Sequence, residues 1–409
     1  MADISVLDVQ LYGHPIGTIT RLPGDRLVFA FSDAYVADRA RPTLSLSYKD
    51  AFGALITEAK PTQTRLPPFF SNLLPEGAMR DYLAARARVN PAREFFLIWA
   101  LGLDLPGALT IKSADGDTLP PARDDDAAHK RTDPTEEDGV LRFSLAGVQL
   151  KFSAVKQATG GLTIPAEGVG GSWIVKLPST THLGLPENEF AMMELARRIG
   201  IHVPETALVP LAKIKGLPAG IGAAGTRAFV IKRFDRPQTG GPIHSEDLAQ
   251  VFRLYPDDKY GKISYRNIAQ VLWIETGEIG TTEFIRRLVF NALIGNGDMH
   301  AKNWSLTYPD RIHAQLAPAY DFISTIAYIP NDRLALGFVD SKAFESLTLD
   351  QFVRFAAKSG LPRTLTIDTV KDTVLRFHDA WSHSKDLPIT SELRTIIGRH
   401  VARVPISTL

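Results

Sequence analysis

The sequence predicts an α+β protein with a β-rich lobe, a helical C-terminal lobe and an extra α+β subdomain ahead of both. Two observations carry this prediction. Strand-like segments dominate up to residue 243, whereas helical periodicity dominates from residue 244 onward. A polar, acidic, proline-containing stretch at 114–139 separates the N-terminal subdomain, 1–113, from the rest of the chain.

The N-terminal subdomain combines alternating and helical patterns. Alternation of apolar and polar residues predicts strands at 6–12 and 26–31. Periodic apolar residues predict helices at 77–88 and 94–101. These four segments indicate a small α+β unit.

The β-rich lobe is predicted at 140–243 and the helical lobe at 244–409. The first contains two short strands around a tight loop within 141–155, strands at 172–177 and 226–234, and a helix at 187–199. The helices predicted for the second lobe lie at 247–252, 264–276, 281–294, 349–359, 367–382 and 391–402. A β-rich lobe joined by a short crossover to a helical lobe is typical of the bilobal protein-kinase-like fold, with the nucleotide in the cleft between lobes.

Composition narrows the possible functions. The chain has 409 residues and is long enough for two or three domains with cores of their own. A formal charge of +1 argues against bulk binding of polyanions, and the count of zero cysteines excludes disulfides, thiolate metal sites and cysteine nucleophiles. The first ten residues carry Asp3 and Asp8 without an apolar core of signal-peptide length, and the longest apolar run, 95–103, is too short to span a bilayer. We therefore expect a cytoplasmic protein with no membrane contact.

The loop after the predicted helix 281–294 carries the strongest chemical signal. Asp298 and Asn303 stand in the Asp-x-x-x-x-Asn spacing of a phosphotransferase catalytic loop. In such a loop the aspartate accepts the proton of the attacking hydroxyl and the asparagine amide oxygen binds Mg²⁺. Asp321 follows after a short turn-and-strand stretch, where a second metal-binding carboxylate is expected. Further zinc ligands are lacking, so His300 is interpreted as a phosphate-facing donor.

Lys176 is the candidate phosphate-binding lysine of the β-rich lobe. It closes the apolar run Trp-Ile-Val-Lys, a pattern typical of the strand lysine that holds the ATP phosphates, although many strands end in an exposed lysine. In the next helix Glu189 shares the apolar face and is therefore predicted to point inward. A buried carboxylate needs a cation, so an ion pair between Lys176 and Glu189 is predicted. Glu187 or Glu194 could take the place of Glu189.

The segment 144–151, Ser-Leu-Ala-Gly-Val-Gln-Leu-Lys, lies where a glycine-rich phosphate loop belongs. It has one glycine and does not match G-x-G-x-x-G, so by itself it indicates an ordinary hairpin loop. Its backbone amides and Lys151 could still hold phosphate.

Together these residues closely resemble the HipA family, the serine/threonine kinase toxins of bacterial HipA and HipB toxin-antitoxin pairs. The resemblance covers nearly the whole chain. It includes the N-terminal motifs Leu-Tyr-Gly at 11–13, Leu-Ser-Leu-Ser at 44–47, Phe-Phe-Ser-Asn-Leu-Leu-Pro-Glu at 69–76 and Gly-Ala-Leu-Thr at 107–110. Ordinary protein kinases lack this subdomain, so the resemblance is specific.

The resemblance implies an ATP- and Mg²⁺-dependent kinase with Asp298 as the catalytic base and with Asn303 and Asp321 as metal ligands. It implies a phosphate loop at 146–151, a hinge for adenine along the backbone 232–234, and nucleotide contacts around the catalytic loop. The residues implied to bind ATP are Ala146, Gly147, Val148, Gln149, Leu150, Lys151, Lys176, Lys232, Arg233, Phe234, His300, Ala301, Lys302, Asn303, Tyr320 and Asp321. Relatives often carry an acidic residue at the position of Lys232 and a polar one at that of Leu150, which leaves specificity more open than activity.

Ser144 matches the serine that members of the family autophosphorylate, a modification that ejects the phosphate loop and silences the kinase. A phosphate there would add about two negative charges beside the incoming ATP phosphates, so inhibition is the physically expected direction.

The resemblance further implies a protein substrate, an aminoacyl-tRNA synthetase in well-known members, whose modification stops translation. It implies a helix-turn-helix antitoxin of the HipB type as partner, with DNA contacted mainly through that antitoxin. Two alternatives remain open. A small-molecule phosphotransferase of the aminoglycoside type has a similar loop but lacks the motif at 69–76, and a non-catalytic co-repressor would not require the complete set of acidic and amide residues.

Overall fold

A computed structural model describes residues 5–58, 60–116, 151–156, 162–163, 171–217 and 225–409. The strands are β1 Ser5–Leu11, β2 His14–Leu22, β3 Arg26–Phe31, β4 Thr62–Gln63, β5 Leu109–Ser113, β6 Lys151–Lys156, β7 Leu162–Thr163, β8 Trp173–Lys176, β9 Thr206–Pro210, β10 Ile214–Lys215, β11 Arg227–Lys232, β12 His244–Asp247, β13 Ser305–Tyr308 and β14 Gln315–Leu316. The helices are α1 Asp33–Ala37, α2 Pro68–Ser71, α3 Gly77–Ala87, α4 Glu94–Leu101, α5 Leu185–Arg198, α6 Leu248–Val251, α7 Tyr265–Ile294, α8 Leu349–Ser359, α9 Arg363–Ser382 and α10 Ser391–Val401.

The N-terminal unit is a five-stranded antiparallel sheet in the order β4-β3-β2-β1-β5. Leu7, Val9 and Leu11 alternate along β1 and are fully buried, because successive residues of a strand face opposite sides of the sheet. The apolar helix α4 covers that buried side and contributes Phe95 and Leu97 to the same core. The unit therefore has a core of its own.

The second sheet has six strands in the order β10-β7-β6-β8-β11-β9. Lys176 of β8 is the cross-strand partner of Lys151 on one side and of Phe229 on the other. Directly opposed residues lie on the same face of a sheet, so both lysines face the same side. Helix α5 packs against β9 and β11 and buries Glu189 completely. Its position confirms the inward orientation predicted from helical periodicity.

Helix α7 forms the centre of the C-terminal lobe. It is interrupted at Gly277, whose φ of 62° and ψ of −151° are not helical, which explains why the sequence predicted two helices here. Beyond the break Phe284 and Leu288 are fully buried, and α9 packs alongside. Helix α7 ends at Ile294, where Gly295 adopts the left-handed conformation that glycine favours.

The predicted start of the helical lobe needs one correction. Residues 245–247 were expected to lead into a helix at 247–252, but 244–247 form strand β12 and the helix is limited to α6. Strand β12 pairs with β13, which lies far away in sequence, and β14 completes a three-stranded sheet. Long-range pairing overrides the local pattern, because a short polar strand has no alternation to identify it. Strands β2 and β9 also lie outside the predicted segments.

The N-terminal unit is joined to the β-rich lobe by a cluster of charges after β11. Arg233 contacts Asp104 at 3.2 Å and Asp235 at 2.8 Å, and Arg236 contacts Asp235 at 2.9 Å. The backbone N–H of Gly107 donates to Asp235 at 2.8 Å. The end of β11 is therefore held in place by the N-terminal unit.

A buried carboxylate joins the same unit to the three-stranded sheet. Glu246 is 2% exposed and accepts hydrogen bonds from the Ser45 hydroxyl, the Leu46 N–H and the Tyr308 hydroxyl. Burial raises the pKa of Glu246 to about 7, against the effect of these three donors. In the described part of the chain no helix is both long and apolar enough to span a membrane.

Glu246 makes the free energy of unfolding depend on pH. Its folded pKa of about 7 lies above the usual 4.5, so its stabilising contribution is complete below pH 4.5 and is lost as the pH rises through 7. Glu246→Gln mimics the protonated acid. We expect wild type to lose up to about 3 kcal/mol relative to this variant between pH 4.5 and pH 7.5 in urea unfolding. Glu278→Gln, at an exposed position, should titrate like wild type; parallel profiles for wild type and Glu246→Gln would contradict the assignment.

Candidate active site

The loop after α7 is folded around the backbone carbonyl of Asp298. That carbonyl accepts from the His300 N–H at 2.8 Å and from the Asn303 side-chain amide at 2.7 Å. The Asp298 N–H in turn donates to the Asn296 side chain at 3.0 Å. These bonds fix the backbone of the loop on both sides of Asp298, and Asp298 itself is solvent-exposed.

A second layer holds the loop from below. The Gly297 N–H donates to the Thr325 hydroxyl at 2.7 Å, and that hydroxyl donates to Asp332. A Cβ on Gly297 would come within 2.2 Å of the Asp332 carboxylate oxygen. The position therefore admits only glycine without displacing Asp332.

Among the described residues, Tyr260 is the direct partner of the Asp298 side chain: its hydroxyl donates to Oδ1 at 2.5 Å. Desolvation by the cleft walls raises the pKa of Asp298, and the hydrogen bond from Tyr260 opposes that shift. The contact shows that Asp298 Oδ1 is accessible to a hydroxyl donor, which a general base for an alcohol needs.

Opposite this loop, Lys176 is held between two carboxylates. Its ammonium contacts both Glu189 and Asp321, and Lys151 contacts the other oxygen of Asp321 at 3.3 Å. Three parts of the chain meet here: the β-rich sheet supplies both lysines, α5 supplies Glu189, and the C-terminal lobe supplies Asp321.

Burial alone would lower the pKa of Lys176, but Asp321 and Glu189 raise it, so the ammonium stays charged. Burial would raise the pKa of Asp321, yet Lys151 and Lys176 hold it well below its usual range. Burial raises the pKa of Glu189, and the neighbouring Asp321 charge adds to that shift. The second oxygen of Glu189 is buried without a hydrogen-bond partner among the described residues. Because the pKa of Asp321 is lowered and that of Glu189 is raised, Asp321 is the carboxylate that carries the negative charge opposite Lys176 and Lys151.

Asp321 also has an unusual backbone. Its φ of 59° lies in the left-handed region that side-chain-bearing residues rarely adopt, a conformation that concentrates at functional sites. The preceding Tyr320 is fixed by a hydrogen bond from its hydroxyl to the Lys302 carbonyl at 2.9 Å, and its ring stacks on Phe234 with centroids 6.0 Å apart. Phe234 and Tyr320 are thus brought together from the two lobes.

The other residues predicted for the hinge are engaged within the protein. The Lys232 N–H donates to the Glu205 carbonyl at 2.9 Å, and the Arg233 N–H donates to the Ser172 carbonyl at 2.8 Å. Neither N–H is available to a nucleotide base, and the Arg233 guanidinium lies in the charge cluster with Asp104 and Asp235. Of the three predicted hinge residues, Phe234 is the one stacked beside the Asp321 segment.

The middle of the catalytic loop is turned partly inward. His300 is 6% exposed, its ring packs edge-on against Tyr260 at 4.9 Å, and burial lowers its pKa to about 3, so the imidazole is neutral. Ala301 is buried in a small apolar cluster. The Lys302 ammonium contacts Glu76 of the N-terminal unit at 2.8 Å rather than the cleft. Within this part of the loop, Asn303 is the residue that adjoins Asp298.

The predicted phosphate loop lies mostly outside the described residues. The loop residues outside the described part of the chain are Ser144, Ala146, Gly147, Val148, Gln149 and Leu150. The predicted linker also lies outside it from residue 117 onward. Lys151 is the described member of the loop, and it contacts Asp321.

The donor set fits a magnesium ion bound together with a polyphosphate. Asp321 offers carboxylate oxygens, and Asn303 uses its amide nitrogen on Asp298, which leaves its amide oxygen for another partner. No group of three or more histidine or acidic side chains in the described ranges could hold a metal by itself. Mg²⁺ is commonly held by one or two protein side chains plus substrate phosphates, and phosphates would also give Lys176 and Lys151 new anionic partners.

Sequence reasoning missed three contributors to this site. Tyr260 and Lys259 lie in a loop without periodicity or a motif, so no local pattern connects them with Asp298. Asn296 belongs to an Asn-Gly-Asp sequence typical of a turn, and its side-chain oxygen accepts from the Asp298 N–H. An asparagine directly before a catalytic Gly-Asp was the one available signal.

Comparisons with known proteins show the family to which the chain belongs. Residues 143–381 match the family model of the HipA-like C-terminal domain, and residues 7–112 match that of the HipA N-terminal domain. The chain is 54% identical over 410 residues to a Sinorhizobium fredii protein named "Putative kinase Y4dM", covering 99% of this chain and 98% of that protein. It is 27% identical over 351 residues to "Serine/threonine-protein kinase toxin HipA" of Shewanella oneidensis, covering 78% of this chain and 77% of that one.

A solved structure shares the fold. The complex of HipA, HipB and its operator DNA from Shewanella oneidensis matches with a TM-score of 0.73 at 23% identity, covering 98% of this chain and 96% of that one. The kinase-like α+β fold predicted from the sequence is thereby confirmed.

Gly297→Ala tests the packing of the loop. The added methyl group must displace the partly exposed Asp332 carboxylate from Thr325, and we expect the free energy of unfolding to fall by about 0.5–1.5 kcal/mol, the usual net contribution of one hydrogen bond. Gly398→Ala is the matched control, because it has open space around it within α10 and should unfold no more easily than wild type. Equal unfolding midpoints in urea for both variants would show that the loop tolerates a side chain there.

Proposed function

The chain belongs to the HipA family of kinases, and from this membership we propose that it is an ATP- and Mg²⁺-dependent serine/threonine kinase acting on a protein. The observation that carries the proposal is that the Asp298–Asn303 loop lies beside the Lys176–Asp321 contact: Asn296, whose side-chain oxygen accepts from the Asp298 N–H, donates its amide to the Asp321 carbonyl at 3.3 Å. The loop and Asp321 belong to the helical lobe and the lysines to the β-rich lobe, so the two lobes together supply the two functions that phosphoryl transfer needs, a base for the hydroxyl and cations for the phosphates.

In the proposed reaction Asp298 accepts the proton of a serine or threonine hydroxyl as its oxygen attacks the γ-phosphorus of ATP. The bond between that phosphorus and the β,γ-bridging oxygen breaks, and ADP leaves. The exposed position of Asp298 supports contact with a protein hydroxyl, and the carbonyl anchor from Asn303 keeps the carboxylate oriented. Because little covalent chemistry falls to the protein, positioning and charge supply most of the rate.

Lys176 and Lys151 would hold the phosphates, and Asn303 and Asp321 would hold Mg²⁺. The metal ion, when bound, neutralises charge on the transferring phosphoryl group. The contact of both lysines with Asp321 supports this assignment, since the two cations converge on the carboxylate that is proposed to bind the metal.

Ser144 is proposed as a site of inhibitory autophosphorylation. Its support is its position in the sequence, seven residues before Lys151, together with the family resemblance. A phosphoserine close to Lys151 and Lys176 would compete with ATP phosphates for the same cations.

The proposed substrate is an aminoacyl-tRNA synthetase, whose phosphorylation would stop translation and growth and lead to persistence. The proposed partner is a helix-turn-helix antitoxin of the HipB type that contacts DNA on behalf of the complex. Family membership supports both, and the near-neutral charge of +1 supports a secondary role for this chain in DNA binding.

Asp298→Asn tests the reaction directly. Removal of the base should lower transfer of label from γ-labelled ATP by about 10²–10⁴-fold while ATP binding is kept. Asp368→Asn, on the exposed side of α9, is the matched control and should keep wild-type activity. The measurement is label incorporation into the proteins of a cell lysate, followed by identification of the dominant phosphorylated protein.

Autophosphorylation is tested by measuring the intact mass of the purified protein. A stoichiometric phosphate that is present in wild type and absent from both Asp298→Asn and Ser144→Ala would support autophosphorylation at Ser144. No label in any protein, with Mg²⁺ and ATP supplied and Ser144 unmodified, would refute the kinase assignment.

A further inference from the structure

The segment 69–76, Phe-Phe-Ser-Asn-Leu-Leu-Pro-Glu, leaves the core of the N-terminal unit and reaches the catalytic lobe. Its first half is anchored on both sides: Phe69 and Phe70 are buried in the N-terminal core, and the Phe69 carbonyl accepts from Gln250 at 2.9 Å. The Asn72 amide donates to the Leu254 carbonyl at 2.6 Å. The segment is therefore fixed to the C-terminal lobe before it reaches Glu76.

Glu76 binds two lysines with its two carboxylate oxygens. Oε1 contacts the Lys302 ammonium at 2.8 Å and Oε2 contacts the Lys259 ammonium at 2.7 Å. Partial burial would raise the pKa of Glu76, but the two lysines lower it to about 2. Glu76 stands at the N-cap position of α3, and its side chain makes no capping bond to that helix. Its carboxylate is directed entirely to the lysines.

Each lysine leads to a different side of Asp298. Lys302 precedes Asn303, whose side chain binds the Asp298 carbonyl. Lys259 precedes Tyr260, whose hydroxyl binds the Asp298 carboxylate. The Lys259 carbonyl also accepts from the Ala301 N–H at 3.2 Å, which joins the two segments to each other.

We propose that Glu76 is a positioning residue of the active site, through which the N-terminal unit sets the orientation of Asp298. The inference rests on the proposed kinase function. Glu76 touches no reacting atom; it holds the Lys259–Tyr260 segment and the Lys302–Asn303 segment at a fixed separation, and Asp298 is bound between them. Without Glu76 the two ammonium groups would lose their shared counter-charge, and the two segments would keep the Ala301–Lys259 backbone bond and the Lys302–Asn72 contact but not the ionic contact that fixes their separation.

A second ion pair, between the N-terminal unit and the segment just before Lys259, provides a comparison. Arg65 contacts Asp257 at 3.0 Å, but Asp257 is 82% exposed at its side chain and is not bonded to the catalytic loop. Exposed pairs of this kind contribute little. Asp257→Asn therefore removes a neighbouring ion pair of the N-terminal unit and leaves Glu76 and its two lysines in place.

The experiment compares Glu76→Gln with Asp257→Asn in the full-length chain. For Glu76→Gln we expect kcat to fall by about 10²-fold, as for small displacements of catalytic groups, with KM for ATP changed by less than about two-fold. Asp257→Asn should keep both values. Phosphate transfer from γ-labelled ATP is measured with the dominant acceptor protein found in the lysate. Lys259→Gln should reproduce the loss in kcat. This second variant keeps the test valid if Glu76→Gln fails to fold.

Amide hydrogen exchange supplies a readout that does not depend on activity. Peptides covering 296–303 should exchange faster in Glu76→Gln than in wild type or Asp257→Asn, because the loop loses its brace. Wild-type kcat and unchanged exchange in Glu76→Gln would overturn the positioning role and leave the kinase assignment standing. A wild-type chain that transfers no phosphate would overturn the kinase assignment, and unchanged exchange would then overturn the brace separately.

Discussion

The structure of the site depends on one buried cation. Lys176 of β8 is enclosed by Glu189 of α5 and Asp321 of the C-terminal lobe, so a single ammonium group fixes the helix to the sheet and the sheet to the opposite lobe. A buried charge without partners would be strongly unfavourable, and the position of each carboxylate is therefore constrained by the others. Lys151 adds a second cation on Asp321, so both lysines of the β-rich sheet are directed at the same carboxylate of the opposite lobe.

The other side of the cleft is organised by hydrogen bonds to the backbone. Asn303 and His300 both bind the Asp298 carbonyl, and Asn296 binds the Asp298 N–H, so the carboxylate projects from a loop that has little freedom of its own. The Asp332 carboxylate lies so close to Gly297 that a Cβ would not fit there. The chemistry assigned to the cleft is therefore divided: charge comes from the β-rich lobe and orientation comes from the helical lobe.

The N-terminal unit is integrated with this kinase-like core at three places. Asp104 binds the arginine that follows β11, Ser45 and its neighbour bind the buried Glu246, and Glu76 binds two lysines next to the catalytic loop. In each of these contacts at least one of the two partner groups is buried or partly buried. A unit attached only for recruitment of partners would not need to reach the strand end, the third sheet and the catalytic loop together.

The sequence by itself determined the elements with strong periodicity, among them α8 and α10, and the inward face of α5 that carries Glu189. The candidate residues Asp298, Asn303 and Asp321 can also be recognised from the sequence alone, because the motif consists of given residue types at given separations along the chain. Only the tertiary structure decided that β12 is a strand, that Lys302 turns to Glu76, and that Tyr260 meets Asp298. These features come from contacts between segments distant in sequence, and the energy of such a contact depends on both partners, which no local pattern records.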